Sequence, residues 1–471
     1  MTTKITKALL VGKDARGDAV LEAWNKSPRP KELYAFSEFN NPGFLKKVKD
    51  KYIQLGKTEN GEAVLEYALS IKPDFVLISP EEPLFAGVVD KLESHGIPCV
   101  GPTKAFARLE WSKSFTRELL SKYNIPGNVE YRVFKKLDGL ESYLRELGDF
   151  VVKPDGLTSG KGVKVSGEHL HSVEEAVEYA SSILNTGHDS VVIEEKLDGE
   201  EFSFQSFCDG EHVVDTVAVQ DHKRAYEGDK GPNTGGMGSY SCEDRSLPFL
   251  SKEDIQAASE INAAVAIAIR EELGGKGFKG ILYGGFMVTK NGVKLIEYNA
   301  RFGDPEAMNV LPLLETDFID VCEAIINGTL DELPVTFKRK ATVCKYVVPE
   351  GYPDKPKEEN LLPSDNIPES TDSLKIYYAA INQKEDGKLY LTGSRAIACV
   401  GIGDSLKEAE KIAEDAANKI EGRVFHRKDI GTSGLVQKRI NHVRKIMEEK
   451  SSRPSYKSEP RTNNRQLYAP L

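Results

Sequence analysis

The sequence predicts a multidomain protein of mixed α/β and α+β class. Three observations carry that reading. The chain has 471 residues, more than one ordinary domain holds. Strand-like and helix-like segments alternate over the first hundred residues, the pattern of a parallel sheet with covering helices. Later segments read instead as paired strands, followed by a compact strand-rich stretch with one clear helix. The expected organisation is an N-terminal parallel α/β domain over residues 1–124, a small unit over 125–193 and a central unit over 194–332. A small α+β domain follows over 333–433, then a basic tail over 434–471 that is partly disordered.

The elements justify this in order. Lys7–Gly12 is an apolar run ending in a turn, and Ala19–Trp24 reads as the helix after it. Gly61–Ser70 is helix-like, Phe75–Ser79 strand-like, Val88–His95 helix-like and Pro98–Gly101 a short strand. Asn124-Ile125-Pro126-Gly127 breaks the pattern and marks a linker. Phe202–Phe207 alternates as a strand with one apolar face, and Asp215–Gln220 extends its sheet. Asp254–Leu273 has helical periodicity. Ile281–Val288 and Val293–Asn299 form a hairpin around Lys290-Asn291-Gly292. Ala341–Val348, Lys375–Ile381, Lys388–Leu391 and Ala396–Gly401 read as strands and Leu406–Ile420 as a helix. Val436–Lys450 reads as a basic helix. The tail from Gly434 carries nine basic against three acidic side chains, while Ser451–Leu471 has too little apolar content to fold alone.

The totals exclude some functions. A net charge of −10 argues against nucleic acid as a required partner. No segment has the roughly 18 consecutive apolar residues that span a bilayer. The N-terminus runs straight into a strand without a signal-peptide core, so a cytoplasmic protein is expected. The six cysteines are scattered with no C-x-x-C pair, which favours separate reduced thiols over a zinc site.

Chemistry concentrates in three stretches. Lys153-Pro154-Asp155-Gly156-Leu157-Thr158-Ser159-Gly160-Lys161-Gly162-Val163 sits between two strand-like flanks. Its glycines permit close backbone approach, its free N–H groups can cradle an anion, and its lysines add point charges. A hairpin lid over a nucleotide triphosphate and an ordinary solvated hairpin are equally good readings of these residues alone. Its spacing is not that of a Walker loop. Second, Asp221-His222-Lys223-Arg224 precedes Gly228–Gly238, with five glycines in eleven residues. A long mobile functional loop is expected there. Third, period-two spacing puts Glu297 and Asn299 on one strand face, oxygen donors for a hard cation, with Arg301 beside them for charge on a transferring phosphoryl group.

Together these stretches resemble the phosphoribosylamine–glycine ligase (glycinamide ribonucleotide synthetase) family of ATP-grasp enzymes. The resemblance rests on Gly101-Pro102-Thr103 with Leu109–Lys113, Lys153–Val163, Glu194–Glu201, Gln220–Tyr240 and Glu297–Glu306. Arg427-Lys428-Asp429-Ile430-Gly431 is similar to the family's C-terminal signature. The resemblance implies two ATP-grasp subdomains in the middle of the chain, a lid and a catalytic part. It implies ATP-dependent ligation of glycine to 5-phosphoribosylamine through a glycyl phosphate, with Mg²⁺ or Mn²⁺, in purine biosynthesis. It further implies that Lys113 and Lys153 bind the ATP phosphates, with Gly160, Lys161 and Gly162 closing over them. Glu194, Lys196 and Leu197 would frame the adenine and Glu201 the ribose, while Glu297 and Asn299 hold the metal. Arg301 would clamp the acyl phosphate and Asp221 the glycine ammonium. Lys223, Asn233 and Thr234 would enclose the amine substrate, with Gly12, Lys13, Arg16 and Glu81 from the N-terminal domain. A monomer or homodimer acting on small molecules alone is implied.

One stretch departs from the family. Gly12-Lys13-Asp14-Ala15-Arg16-Gly17-Asp18-Ala19 stands where the family reads Gly-x-Gly-Gly-Arg-Glu-His-Ala, and Ser79 replaces a preferred glycine. An ATP-grasp ligase for another amine and a nucleotide-binding relative without catalysis therefore stay open. Intact Lys153, Glu297, Asn299 and Arg301 favour catalysis. Deleting Ser451–Leu471 is expected to leave turnover unchanged, which steady-state phosphate release measures; a large loss would refute the expectation of a disordered, dispensable tail.

Overall fold

Apolar runs buried on both faces build the first sheet. In the computed structural model, which describes residues 4–156, 162–357 and 360–452, this sheet has five parallel strands. Their spatial order is Ile53–Leu55, Lys31–Ser37, Thr6–Val11, Phe75–Ile78 and Cys99–Val100. Helices Ala15–Asn25, Gly61–Ile71 and Val88–Ser94 lie in the connections. Asp14 caps the first by accepting from the Gly17 N–H at 3.1 Å, and Asn60 caps the second. The sequence reading did not include Lys31–Ser37, a strand whose apolar run Leu33–Phe36 is only four residues long behind the polar Lys31 and Glu32. The strand order reverses between Thr6–Val11 and Phe75–Ile78. The loops after these two strands, Gly12–Asp14 and Ser79–Pro80, thus meet at a switch point, where α/β sheets bind ligands.

The small unit is an antiparallel sheet ordered Tyr131–Phe134, Val191–Glu195, Phe150–Pro154 and Lys164–Val165. Helices Leu140–Leu147 and Val173–Asn185 cover it. Phe134, Leu144, Phe150, Val152, Ala180 and Ile193 form a core of their own, separate from the main one. The unit joins the rest of the chain through residues 124–130 and 196–198, the connections at which a unit with its own core would hinge.

The central segment and the C-terminal segment share one antiparallel sheet. Its order runs Gly292–Asn299, Lys279–Thr289, Gly199–Asp209, Val213–Asp221, Gly238–Ser241, Ala341–Pro349, Ile397–Gly403 and Leu374–Tyr378. Gly238–Ser241 is the joint, pairing with Val213–Asp221 on one side and Ala341–Pro349 on the other. Helix Lys252–Leu273 packs beneath, started by a Ser251–Asp254 capping box.

Two expectations are corrected. Gly228–Gly238 is not one unstructured loop: Arg224–Tyr226 pairs with Lys230–Asn233 as a small hairpin, leading through Thr234–Met237 into the joint strand. Lys375–Ile381 is not one strand. It splits at Ala379-Ala380 into Leu374–Tyr378 of the large sheet and Ile381–Gln383 of a separate three-stranded sheet. The basic helix runs Ser433–Ser452, so Ser451 and Ser452, expected to open the disordered tail, are helical instead; the rest of that tail, 453–471, lies outside the described residues, as do residues 157–161 of the glycine-rich stretch expected to form a lid. All six cysteines are buried and free. No helix among the described residues is long and apolar enough to cross a membrane.

Lys345 shows how the C-terminal helix Leu406–Ala417 is held. Its Nζ, fully buried, reaches Glu410 at 2.7 Å, Glu414 at 2.8 Å and the Lys428 carbonyl at 2.7 Å. Removing one partner of such a set leaves charge uncompensated. Lys345→Ala is expected to destabilise the chain by at least about 2 kcal/mol, read as a lowered urea midpoint; an unchanged midpoint would refute it.

Candidate functional site

The strand Gly292–Asn299 carries the candidate metal ligands, and a bulge sets their aim. Glu297 pairs with Gly285 but Leu295 with Phe286, so Ile296 is the extra residue. Glu297 and Asn299 share a face, while Tyr298 turns into the core and donates to Asn262 at 3.0 Å. The bulge frees two carbonyls. Arg117 donates to Leu295 O and Ile296 O, both at 2.9 Å, and Lys153 Nζ lies 3.4 Å from Ile296 O.

Arg117 and Lys153 also clasp Glu194. The guanidinium meets both carboxylate oxygens, at 2.7 and 3.0 Å, and Lys153 Nζ meets Oε2 at 2.7 Å. Burial opposes the Glu194 charge, yet Arg117 and Lys153 together hold its pKa down to about 2. The Glu194 side chain is therefore committed inward. Lys196 donates its ammonium to Ser166 O at 2.9 Å and its amide to Asp149 O, and the half-buried Leu197 follows in the hinge. Lys113, first residue of helix Lys113–Lys122, reaches Gly156 O at 2.8 Å. Burial lowers its pKa, with Glu297 acting against that. Gly162, the first described residue after Gly156, accepts from the Tyr179 hydroxyl at 2.8 Å through its carbonyl. Gly160 and Lys161 fall outside the described residues.

Lys223 sits across this cluster, 3.5 Å from Glu201 and 3.7 Å from Glu297. Glu201 raises the Lys223 pKa most, with burial opposing and Glu297 adding. For Glu297 burial again opposes the charge, but Lys223, Lys153 and Lys113 outweigh it and keep the carboxylate ionised. Asp221 differs. Burial, and then the nearby Glu306, push its carboxyl well above the usual range. Two acids facing one another this way suit an ammonium ligand between them. Gly236 closes against Asp221 at φ +112°, where an added Cβ would lie 2.5 Å from Pro305 and 2.7 Å from Asp221 Oδ1. Thr234 spends its hydroxyl locally, donating to Lys223 O at 2.8 Å and accepting from Gly236 N, while Asn233 ends the small hairpin.

The N-terminal loops meet this face through arginines. Arg301 lies between Glu81 at 3.1 Å and Glu110 at 2.9 Å. Arg16 binds Asp14 at 2.6 Å, approaches Glu81 at 3.5 Å and donates to Phe302 O at 3.1 Å. Burial raises the pKa of both acids, but Arg301 and Arg16 hold Glu81 low, whereas Glu110, opposed by Arg301 and reinforced by Glu81, stays high. Gly12 packs against Ser79, with only 3.1 Å from an added Cβ to the Ser79 Cβ. Lys13 is engaged by Glu38 at 3.0 Å and Glu82 at 3.6 Å.

The structure brings Lys113, Lys153, Glu201, Lys223 and Glu297 together electrostatically, and Arg16, Glu81 and Arg301 beside them. Five participants were missed by the sequence reading. Arg117 lies one turn after Lys113 on the helix Lys113–Lys122, a signal that helical periodicity offers, whereas Glu110 sits on the preceding short helix Arg108–Trp111, across the extended Ser112. Glu306 accepts from Tyr283 at 2.5 Å. Asp304 pairs with Arg395 at 3.1 Å, and Arg395 donates to the carbonyls of Gly235, Gly236 and Asp304. Arg395 lies 91 positions from Asp304, and nothing local announces it.

Because Arg117 and Lys153 hold the Glu194 pKa below its ordinary value in the folded chain, the sign of its pH dependence is fixed. The contribution is complete above the ordinary value of 4.5 and is lost as pH falls through about 2. Glu194→Gln is expected to cost roughly 3 kcal/mol at pH 7. The gap between the urea midpoints of wild type and variant should narrow from pH 6 to pH 3, and a pH-independent gap would refute the assignment.

Family models place the site in context. Residues 6–110 match the phosphoribosylglycinamide synthetase N domain, 111–307 its ATP-grasp domain and 342–433 its C domain. A phosphoribosylamine–glycine ligase of Methanocaldococcus jannaschii is 49% identical over 448 residues, covering 93% of this chain and 99% of the relative. One of Methanocella arvoryzae is 47% identical over 437 residues, again covering 93% and 99%. The crystal structure of the Thermotoga maritima phosphoribosylamine–glycine ligase superposes with a TM-score of 0.75 at 27% identity, over 90% of this chain and all of that one. The biotin carboxylase domain of Hydrogenobacter thermophilus 2-oxoglutarate carboxylase, solved with MgADP, shares the fold, with a TM-score of 0.69 at 14% identity over 95% and 96% of the two chains. With all three domain models matched in order, and relatives near half identity along almost their whole length, the chain belongs to the phosphoribosylamine–glycine ligase family of ATP-grasp carbon–nitrogen ligases.

Proposed function

We propose that this chain joins glycine to 5-phosphoribosylamine at the expense of ATP, using the residues gathered around Glu297. The observation that carries the assignment of residues is the convergence of Lys113, Lys153 and Lys223 on that one ionised carboxylate. A triphosphate needs such cations, and a glutamate needs a reason to stay charged among them.

A divalent cation, Mg²⁺ or Mn²⁺, fits the donors present: one ionised carboxylate and one amide on a single strand face, leaving room for phosphate oxygens. When bound it would neutralise phosphate charge. Among the described residues no group of three or more acidic, histidine or cysteine side chains is arranged to hold a metal ion.

The chain's own residues then do the positioning. Lys113 and Lys153 bind phosphates, and Glu201 holds the ribose. Asp221, with Glu306 behind it, receives the glycine ammonium and presents the carboxylate to the γ-phosphorus. A carboxylate oxygen bonds to phosphorus, the bond to the β–γ bridging oxygen breaks, and ADP leaves. The amine nitrogen then attacks the acyl carbon, the carbon–oxygen bond to phosphate breaks, the nitrogen loses a proton, and glycinamide ribonucleotide and phosphate result. Arg301 stabilises charge on the transferring phosphoryl group. Lys223 enters as an electrostatic partner between Glu201 and Glu297. Lys13, Arg16, Asn233 and Thr234 border the amine substrate.

A different amine is the second reading, favoured by one observation: Asp14 caps the first helix in the loop expected to meet the substrate phosphate. Phosphate release with glycine and freshly generated phosphoribosylamine separates the two, since turnover only with another amine would overturn the first. Glu297→Ala is expected to lower turnover by at least about a hundredfold, on the scale of lost electrostatic groups at phosphoryl transfer; near-wild-type release would remove the metal assignment.

A further inference from the structure

The C domain model ends at residue 433, and the helix Ser433–Ser452 begins there. The helix is docked on the body. Val436 and Ile446 are buried, and Ile440, Val443 and Met447 pack against the main core. That spacing is one apolar helical face. A second face carries Arg439 and His442. His442 sets its two ring nitrogens against Glu200 at 2.7 Å and Asp198 at 3.1 Å. Arg439 reaches Asp229 at 2.6 Å, while its Nε lies 3.3 Å from Glu200 as a charge contact outside hydrogen-bond geometry.

Those partners are not scattered. Asp198 is in the hinge between small unit and large sheet, and Glu200 is the second residue of the strand Gly199–Asp209. Glu201, next along, faces the opposite way and meets Lys223. Asp229 lies in the turn of the hairpin that follows Lys223, and Arg427 also pairs with it at 3.2 Å. The same charges surround His222. Burial, then Arg427 and Arg439, hold its ring neutral with a pKa of about 3. One helix face therefore touches the two segments that carry Glu201 and Lys223, from the side away from the cleft.

We propose that the helix Ser433–Ser452 is a positioning element for the nucleotide end of the site, with Arg439 and His442 fixing the hinge and the Glu200–Glu201 strand start relative to the segment that bears Lys223. The physical basis is the mismatch between a mobile small unit and a ribose contact that must stay in place. A hinge residue free on both sides would let Glu201 drift with the lid. Carboxylates clamped from behind at Asp198 and Glu200 confine the motion to the lid side. Preorganised contacts raise affinity by reducing what must be ordered on binding.

This inference rests on the assignment of the hinge as the nucleotide site, and the test separates the two. Arg439→Met and His442→Ala are each expected to raise the KM for ATP by about three- to tenfold, the effect of losing a partly buried charge contact. Their kcat and KM for glycine should stay within about twofold, and Arg439→Lys should restore most of the ATP affinity. ADP titrated calorimetrically into the full chain gives the second readout. Wild type that binds no ADP would fell the nucleotide-site reading and this one with it. Wild type that binds ADP, with variants that bind it equally well and show only a lowered melting temperature, would overturn the positioning role alone. A chain ended at Thr432 should raise the KM for ATP at least as far as either variant, and the point variants decide the matter if it does not fold.

Discussion

The Glu194 carboxylate is the constraint on which the site depends. It lies inside the protein with both oxygens matched, one guanidinium and one ammonium closing on it. A buried charge is tolerated only when paired and hydrogen-bonded throughout. The pairing here draws from three elements: Arg117 from the helix after the N-terminal domain, Lys153 and Glu194 from adjoining strands of the small unit. Arg117 also donates to Leu295 O and Ile296 O, whose carbonyls the bulge turns outward, and to Asn128 Oδ1. The bulge, the helix and the lid strands are therefore fixed relative to one another by a single charge cluster. Glu297 inherits its aim from that arrangement, since it follows Ile296 directly.

A second set of charges does comparable work across the cleft, with a different balance. Arg301, Arg16, Glu81, Glu110, Asp14 and Asp304 alternate in sign from the N-terminal loops to the catalytic strand. Arg301 has two carboxylates for one guanidinium, and one of these, Glu110, is pushed by burial toward its neutral form. An arginine held by acids is preorganised but not saturated: an incoming anion would compete with carboxylates already in place, and no side chain would have to cross the cleft to meet it. Arg395 extends the chain of charges through Asp304 and gathers the Gly235 and Gly236 carbonyls, so the C-terminal segment helps shape the loop around Asp221.

Local pattern made much of this legible, and distance in sequence hid the rest. The alternating strands and helices before residue 101, the hairpin over 279–299 and the pairing of Glu297 with Asn299 follow from periodicities of a few residues, and the structure has all of them. The bulge at Ile296 leaves no mark on the period-two argument, because Glu297 and Asn299 share a face with or without it. The shared sheet was hidden for another reason. Its joint, Gly238–Ser241, is four residues long and pairs with a strand a hundred positions later. Arg395 reads as an ordinary arginine between strands until the fold brings Asp304 beside it. The hairpin at Arg224–Asn233 was masked by glycines, which signal turns more readily than strands. Family resemblance supplied the residue roles that spacing alone left open.

The altered first loop follows from the same electrostatics. At the N-terminus of Ala15–Asn25 the free N–H groups would ordinarily attract an anion. Here the Asp14 carboxylate already accepts from the Gly17 amide and pairs with Arg16. A substrate phosphate arriving at that helix end meets a like charge instead of open amides. Lys13, one residue earlier, offers the compensation. Its partners Glu38 and Glu82 are themselves partly exposed, and ion pairs of that kind contribute at most about 1 kcal/mol. Exchanging them for a phosphate is therefore inexpensive, whereas displacing Asp14 from the buried Arg16 is not. A phosphate at this loop would therefore be met by a flexible ammonium in place of fixed backbone amides, which shifts selectivity from geometry toward charge.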